Sequence, residues 1–188
     1  MRGLLGALGL AHGASLGVTL ALLVMEGRWQ EALPLHLCSV SALAAIALAF
    51  TPRQTLLDVL WYGGIPGAAL ALLFPAPATS RFQGLLNASY LVTHMLILLT
   101  PLLRMAQGMR PRPGRSRHML GGLLVLAAWA GIANAIWRTD FLFLAAPPYG
   151  TPLEAVYAHG YPLYLLSLLG LALGVCCAMD ALAGKLRK

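Results

Sequence analysis

Six apolar runs of about 20 residues, separated by short segments rich in charge, proline and glycine, constrain this chain more than any other feature. They cover residues 3–25, 33–50, 56–74, 85–103, 119–137 and 162–183. A run of that length in water would have to be buried on every face, and a chain of 188 residues has too little other sequence to cover six of them. Hydrocarbon is the solvent that fits, and with 59% hydrophobic and 10% charged residues the mean hydropathy of +0.76 agrees. Backbone amides in lipid must be satisfied within the segment, so the runs predict an all-α polytopic membrane protein. The expected architecture is a single integral membrane domain over 1–188, built as a bundle of six transmembrane helices. The first run is long, sparsely charged at its N-terminus and lacks a small-x-small cleavage site, so it reads as a helix rather than a signal peptide.

The net charge of +7 would suggest nucleic acid in a soluble protein. Here the cations follow topology. With six spans, Arg2, Arg53, Arg104, Arg110, Arg112, Arg115, Arg117, Lys185, Arg187 and Lys188 share one side, against Arg28, Arg81 and Arg138 on the other. The positive-inside rule then places both termini in the cytoplasm of a cell membrane and predicts no nucleic-acid partner. The basic stretch MRPRPGRSRH reads as a cytoplasmic loop held near anionic headgroups. Cys176 and Cys177 read as small apolar fillers of the last span, with S-acylation as the alternative.

Given that orientation, the intramembrane polar residues converge on one stratum. Span two enters from outside and puts Cys38 about 7 Å below the boundary, with His36 slightly above it. Span four puts Asn87 near the rim and His94 about 14 Å in, while span five delivers Asn134 to the same outer level. Residues 36 and 38 lie about 200° apart around a helix, so His36 is a poor base for Cys38. Cys38 shares its face with Ser41, Ala42, Ala45 and Ala49, a strip of small residues that admits a neighbouring helix. Pro34 suits the first turn of that helix. Asn87, Tyr90, Leu91 and His94 form one stripe, so Asn87 and Tyr90 can orient the His94 ring. Gly63, Gly64, Pro66 and Gly67 predict a kink or break in the third span. Residues 141–147 are too short to cross and predict an interfacial or re-entrant cap, with Tyr157, Tyr161 and Tyr164 in the aromatic belt.

A thiol and an imidazole from separate spans in one layer point to nucleophilic chemistry, because a thiolate forms a thioester that a second nucleophile readily attacks. The structural alternatives are a small buried hydrophobe for Cys38 and an interhelical hydrogen bond for His94. His12 reads as a packing or hydrogen-bonding residue, His36 as interfacial, and His118 and His159 as loop residues without a chemical role. No HExxH, CxxC or paired-histidine spacing supports a metal site, and no phosphate loop or haem motif points to a cofactor, so none is expected.

The ordered elements LPLHLCS, a glycine-bearing third span ending in FPAP, YLVTHMLI, NAIWRTDFLFLAAPP and GYPLYLL resemble the YwaF-type integral membrane proteins over residues 33–166. A vertebrate relative is similar to a phospholipid acyltransferase with a cysteine that takes up the acyl chain and a histidine that assists. The resemblance implies Cys38 as acyl acceptor and His94 as its base, acting on membrane lipids. The residues around them, His36, Asn87, Tyr90, Asn134 and Asp140, are the expected substrate-binding or orienting set, with Asn87 or Asn134 orienting the substrate or stabilising the developing oxyanion. The chain departs from the family where Asn-Tyr often follows the fifth span and Thr139, Asp140 and Phe141 stand instead. The expected function is a membrane-embedded acyltransferase or acyl hydrolase, against a small-solute transporter or a structural subunit with the same polar layer.

Overall fold

A computed structural model describes residues 2–75 and 79–187, excluding the side chain of Arg2. Ala76 and Pro77 of the FPAP element, and Lys188 among the expected cytoplasmic cations, lie outside the described residues. The chain forms α1 (Arg2–Met25), α2 (Leu37–Phe50), α3 (Gln54–Val59), α4 (Ile65–Leu73), α5 (Gln83–Ala106), α6 (Ser116–Trp137), α7 (Leu153–Tyr157) and α8 (Tyr161–Lys185). Helix α3 runs through a π-helical turn, Leu60–Gly64, directly into α4, so the two make one span over Gln54–Leu73. Five helical segments are long and apolar enough to cross a membrane, and α2 is a shorter apolar helix, which makes the molecule a polytopic helical bundle.

The bends and ends have local causes. Pro66 offers no amide and its ring crowds the carbonyl four residues back, so the ladder widens and Ile65 bonds to Leu60 five residues earlier. A Cβ on Gly63 would collide with Met119 Cε, and one on Gly64 would lie 3.3 Å from Ile97 Cγ2. The glycines of the π turn therefore let α5 and α6 approach the backbone of this span. The expected kink is thus a π turn rather than a broken helix.

Helix α2 starts later than its apolar run. Leu33 is extended (φ −64°, ψ 139°), the conformation a following proline enforces, and His36 is extended as the N-cap. Pro34 consequently precedes the helix instead of occupying its first turn, which corrects the expectation for that residue. Fourteen residues span about 21 Å, against about 30 Å of hydrocarbon. The helix survives by being enclosed. Ser41, Ala42, Ala44, Ala45, Leu48 and Ala49 are buried, and the small strip meets α1 where a Cβ on Gly9 would lie 3.0 Å from Ala49 Cβ. At its C-terminal end, buried Arg104 of α5 donates from Nε to the Leu48 carbonyl (3.0 Å) and from Nη2 to that of Ala49 (2.8 Å). Those carbonyls have no intrahelical partner, and the guanidinium also matches the negative end of the helix dipole.

Helices α1 and α5 are joined by hydroxyls. Ser15 Oγ lies 3.0 Å from both Ser89 Oγ and Thr93 Oγ1, and Thr19 Oγ1 lies 2.6 Å from Ser89 Oγ. In a membrane such bonds average about 0.6 kcal/mol each, so their main value is register. The segment after α5 is held to α3 and α8 by two acids. Asp58 accepts from Arg112 through its amide (3.0 Å) and Nε (2.7 Å), while Asp180 accepts from the Gly114 amide (2.7 Å) and the Tyr62 hydroxyl. Arg110 donates to the Met105 and Met109 carbonyls at the end of α5. Two of the basic loop's arginines therefore serve the fold directly.

Because Arg104 satisfies carbonyls that lipid cannot, Arg104→Met is expected to cost about 2–4 kcal/mol, read as a lower thermal midpoint of the purified protein in detergent. An unchanged midpoint would show that α2 needs no such cap.

Candidate active site

Three contacts along the Gln54–Leu73 span set where Cys38 and His94 stand in the bundle. Tyr90 of α5 donates its hydroxyl to the Ala71 carbonyl (2.7 Å), and Ile97 of α5 packs at Gly64. His94 lies on α5 between these two contacts. Leu37 of α2 packs at Gly67 and Gly63, where added Cβ atoms would lie 3.3 Å and 3.4 Å from its methyl carbons. Cys38 follows Leu37, so the first turn of α2 and the His94 turn of α5 share one level of the bundle. The Cys38 thiol lies within electrostatic range of the Tyr90 phenol and packs on the core cluster that includes Ile97. Among the described residues no hydrogen bond joins Cys38 to His94.

Cys38 is the second residue of α2, and the N-cap His36 supplies no side-chain cap. The first α2 bond runs from Val40 to the His36 carbonyl (3.2 Å), which leaves the amides of Leu37, Cys38 and Ser39 without intrahelical acceptors. Amide donors at the positive end of a helix favour an anion there.

His94 is 3% exposed and its Nδ1 lies 2.7 Å from the Tyr90 carbonyl. A carbonyl only accepts, so Nδ1 carries the proton and Nε2 keeps its lone pair. The Tyr90 ring, 4.1 Å away centre to centre, fixes the imidazole plane. The sequence stripe found the orienting role of Tyr90, although it acts through its carbonyl and ring face while its hydroxyl serves α4. Leu91 of the same stripe is 44% exposed and faces outward. Asn87 is half-buried and makes no hydrogen bond to His94 among the described residues.

His36 turns away from Cys38, though as the extended N-cap before α2 rather than through the helical angle expected for it. Its ring stacks on Phe141 at 4.9 Å and its Nδ1 accepts weakly from the Leu142 amide at 3.4 Å. It lines a cavity of about 340 Å³ with Glu31, Trp137, Arg138, Asp140 and Phe141. The loop over this cavity holds three non-glycine residues at positive φ: Arg138 (54°), Leu142 (58°) and Phe143 (56°). Each costs free energy and persists only where surrounding bonds impose it. Asn134 holds the residues between them. Its Nδ2 donates to the Phe141 carbonyl (3.1 Å), while Oδ1 accepts from the Phe141 amide (2.8 Å) and the Thr139 hydroxyl (2.9 Å). Asp140 accepts from the Ala145 amide (2.9 Å), and Tyr164 donates to the Phe143 carbonyl (2.5 Å). Tyr164 is fully buried and so belongs to this clamp rather than to an aromatic belt. The cap expected at 141–147 is therefore a clamped loop beside the start of α2.

One residue of this layer has no clear signal in the sequence. His12 of α1 is 1% exposed and lies within electrostatic range of His94. Its place becomes visible only through the hydroxyl contacts that set α1 against α5. Among the described residues no group of three or more potential metal ligands converges. With all three Asn134 bonds removed, Asn134→Ala is expected to weaken the loop by about 2–3 kcal/mol, seen as faster amide hydrogen exchange over residues 139–145. Unchanged exchange would mean that other contacts hold the strained backbone.

The comparisons with known proteins agree with a membrane protein of this architecture. No curated protein and no solved structure matches the chain. A family model, described as the TMEM164 family, matches residues 4–180. The chain belongs to the TMEM164 family.

Proposed function

We propose that this protein is a membrane-embedded acyl-transfer enzyme in which Cys38 is the nucleophile and His94 the general base. What supports the reading is a thiol at an uncapped helix N-terminus, packed on the core cluster that includes Ile97 of α5, and on α5 an imidazole whose Nδ1 is pinned and whose Nε2 makes no hydrogen bond. The YwaF-type resemblance at LPLHLCS and YLVTHMLI assigns the same two residues.

The chemistry needs no further reagent. His94 Nε2 takes the thiol proton as the sulfur attacks the ester carbonyl of a lipid. The carbon–oxygen bond breaks, and His94 returns the proton to the departing alkoxide, leaving a Cys38 thioester and a lyso-lipid. A second hydroxyl gives its proton to His94 and attacks the thioester, which restores the thiolate and then the thiol. Water in place of that hydroxyl gives hydrolysis by the same steps. The ester of a membrane lipid lies just below its headgroup, which suits a site in the outer part of a bundle whose termini face the cytoplasm. Asn134 and Asp140 act through the clamped loop, and His36 through the cavity beneath it.

Purified protein incubated with acyl-labelled phospholipid is expected to gain a label that hydroxylamine removes. Cys38→Ser should abolish the hydroxylamine-sensitive label, and His94→Ala should slow its formation by about 10²–10⁴-fold while leaving the thermal midpoint near that of the wild type. A wild-type protein that never acquires the label rules out the covalent route. For the orientation, a C-terminal reporter that is active only in the cytoplasm should be active, and its inactivity would invert the assignment.

A further inference from the structure

The described residues hold three buried side-chain polar atoms without a hydrogen-bond partner: Nδ1 and Nε2 of His12 and Oγ of Ser41. Both residues are 1% exposed. Several other buried polar groups of the bundle are paired, Ser89 and Thr93 with Ser15, Asp58 with Arg112, and Arg104 with the α2 carbonyls. An unpaired imidazole inside a bundle costs folding free energy that leucine at the same place would not. Such a group persists where it meets a partner that the protein alone does not supply.

Position says where that partner lies. His12 is three residues from Ser15 and seven from Thr19, so it continues the stripe of α1 that faces Ser89 and Thr93 on α5. One turn further along that antiparallel pair comes His94, which is the residue His12 feels electrostatically. Ser41 stands one turn beyond Cys38 on α2, on the same small-residue face. The unpartnered atoms therefore border the candidate nucleophile and base.

We propose that His12 is a further catalytic residue of this site, whose ring N–H hydrogen-bonds the carbonyl oxygen of the bound acyl ester, with the unpaired Ser41 hydroxyl as a second polar group near it. The assignment rests on the acyl-transfer reading above. An uncharged imidazole offers one donor and needs one acceptor, which an ester carbonyl provides and a lipid tail does not. When sulfur adds to the carbonyl carbon, the carbonyl electron pair moves onto oxygen, and the His12 N–H holds that oxyanion until the carbon–oxygen bond to the leaving alkoxide breaks. His94 alone carries the proton.

Ester and ether lipids separate this role from a structural one. In a Cys38→Ala background, which cannot form the adduct, the protein in detergent is titrated with dioleoyl phosphatidylglycerol and with its dialkyl ether analogue, which lacks both ester carbonyls. The diester is expected to raise the thermal midpoint more than the diether. His12→Leu should erase that difference, lower diester affinity by about tenfold, and raise the midpoint of the lipid-free protein because the unpaired ring is gone. His12→Gln, which keeps a donor, should retain part of the difference. With Cys38 intact, His12→Leu should slow adduct formation by about 10²-fold. A His12→Leu protein that melts lower without lipid and still prefers the diester would overturn the assignment, as would a wild type that responds equally to both lipids. If His12→Leu does not fold, His12→Gln takes its place, and an undiminished ester preference in that variant would likewise overturn the assignment. An ester preference that depends on His12 in a protein that never forms the adduct would sink the covalent mechanism while supporting the contact.

Discussion

A helix too short to cross the hydrocarbon imposes the conditions that the rest of this structure meets. With 14 residues, α2 is too short to carry both of its ends out of about 30 Å of hydrocarbon. The two ends are treated differently. Arg104 closes the C-terminal end with charge-assisted bonds to Leu48 and Ala49, whereas the N-terminal end receives no side-chain cap. Unsatisfied donors at a helix start are costly in lipid unless something anionic faces them. In this chain Cys38 is the second residue of that uncapped end, which makes a filler-sized residue a candidate nucleophile.

The remaining helices hold that end in register. The π turn at Leu60–Gly64 lets Leu37, Ile97 and Met119 approach one backbone segment, which brings the first turn of α2 and the His94 turn of α5 to one level. The hydroxyl contacts of Ser15 and Thr19 add α1 to the same level. Each such bond is worth little alone in a membrane, but together they fix which residues face one another. The strained loop after α6, held by Asn134, Asp140 and Tyr164, roofs the cavity that His36 lines. Membership of the TMEM164 family fits this membrane architecture, and the chemistry proposed for it comes from the residues themselves.

Much of this is legible from hydropathy, because the number and type of apolar segments follow from the cost of burying backbone in lipid. The burial of Ala42, Ala45 and Ala49 is likewise readable from the pitch of a helix. Other features depend on contacts between distant segments and leave no periodic trace. The start of α2 at Leu37 follows from the extended conformation of Leu33 before Pro34, a local override of the apolar run. The clamp by Asn134 requires a left-handed Arg138 that no glycine announces. His12 reads as an isolated polar residue until the contacts of Ser15 set α1 against α5.

The claim that the uncapped start of α2 and the free Nε2 of His94 activate the Cys38 thiol is tested most directly by alkylation rates. Treated with a small, membrane-permeant maleimide at neutral pH and read by mass spectrometry, Cys38 should react faster than the exposed Cys177, and His94→Gln should remove most of that advantage. A Cys38 that reacts no faster than Cys177, or whose rate ignores the loss of His94, would contradict the account.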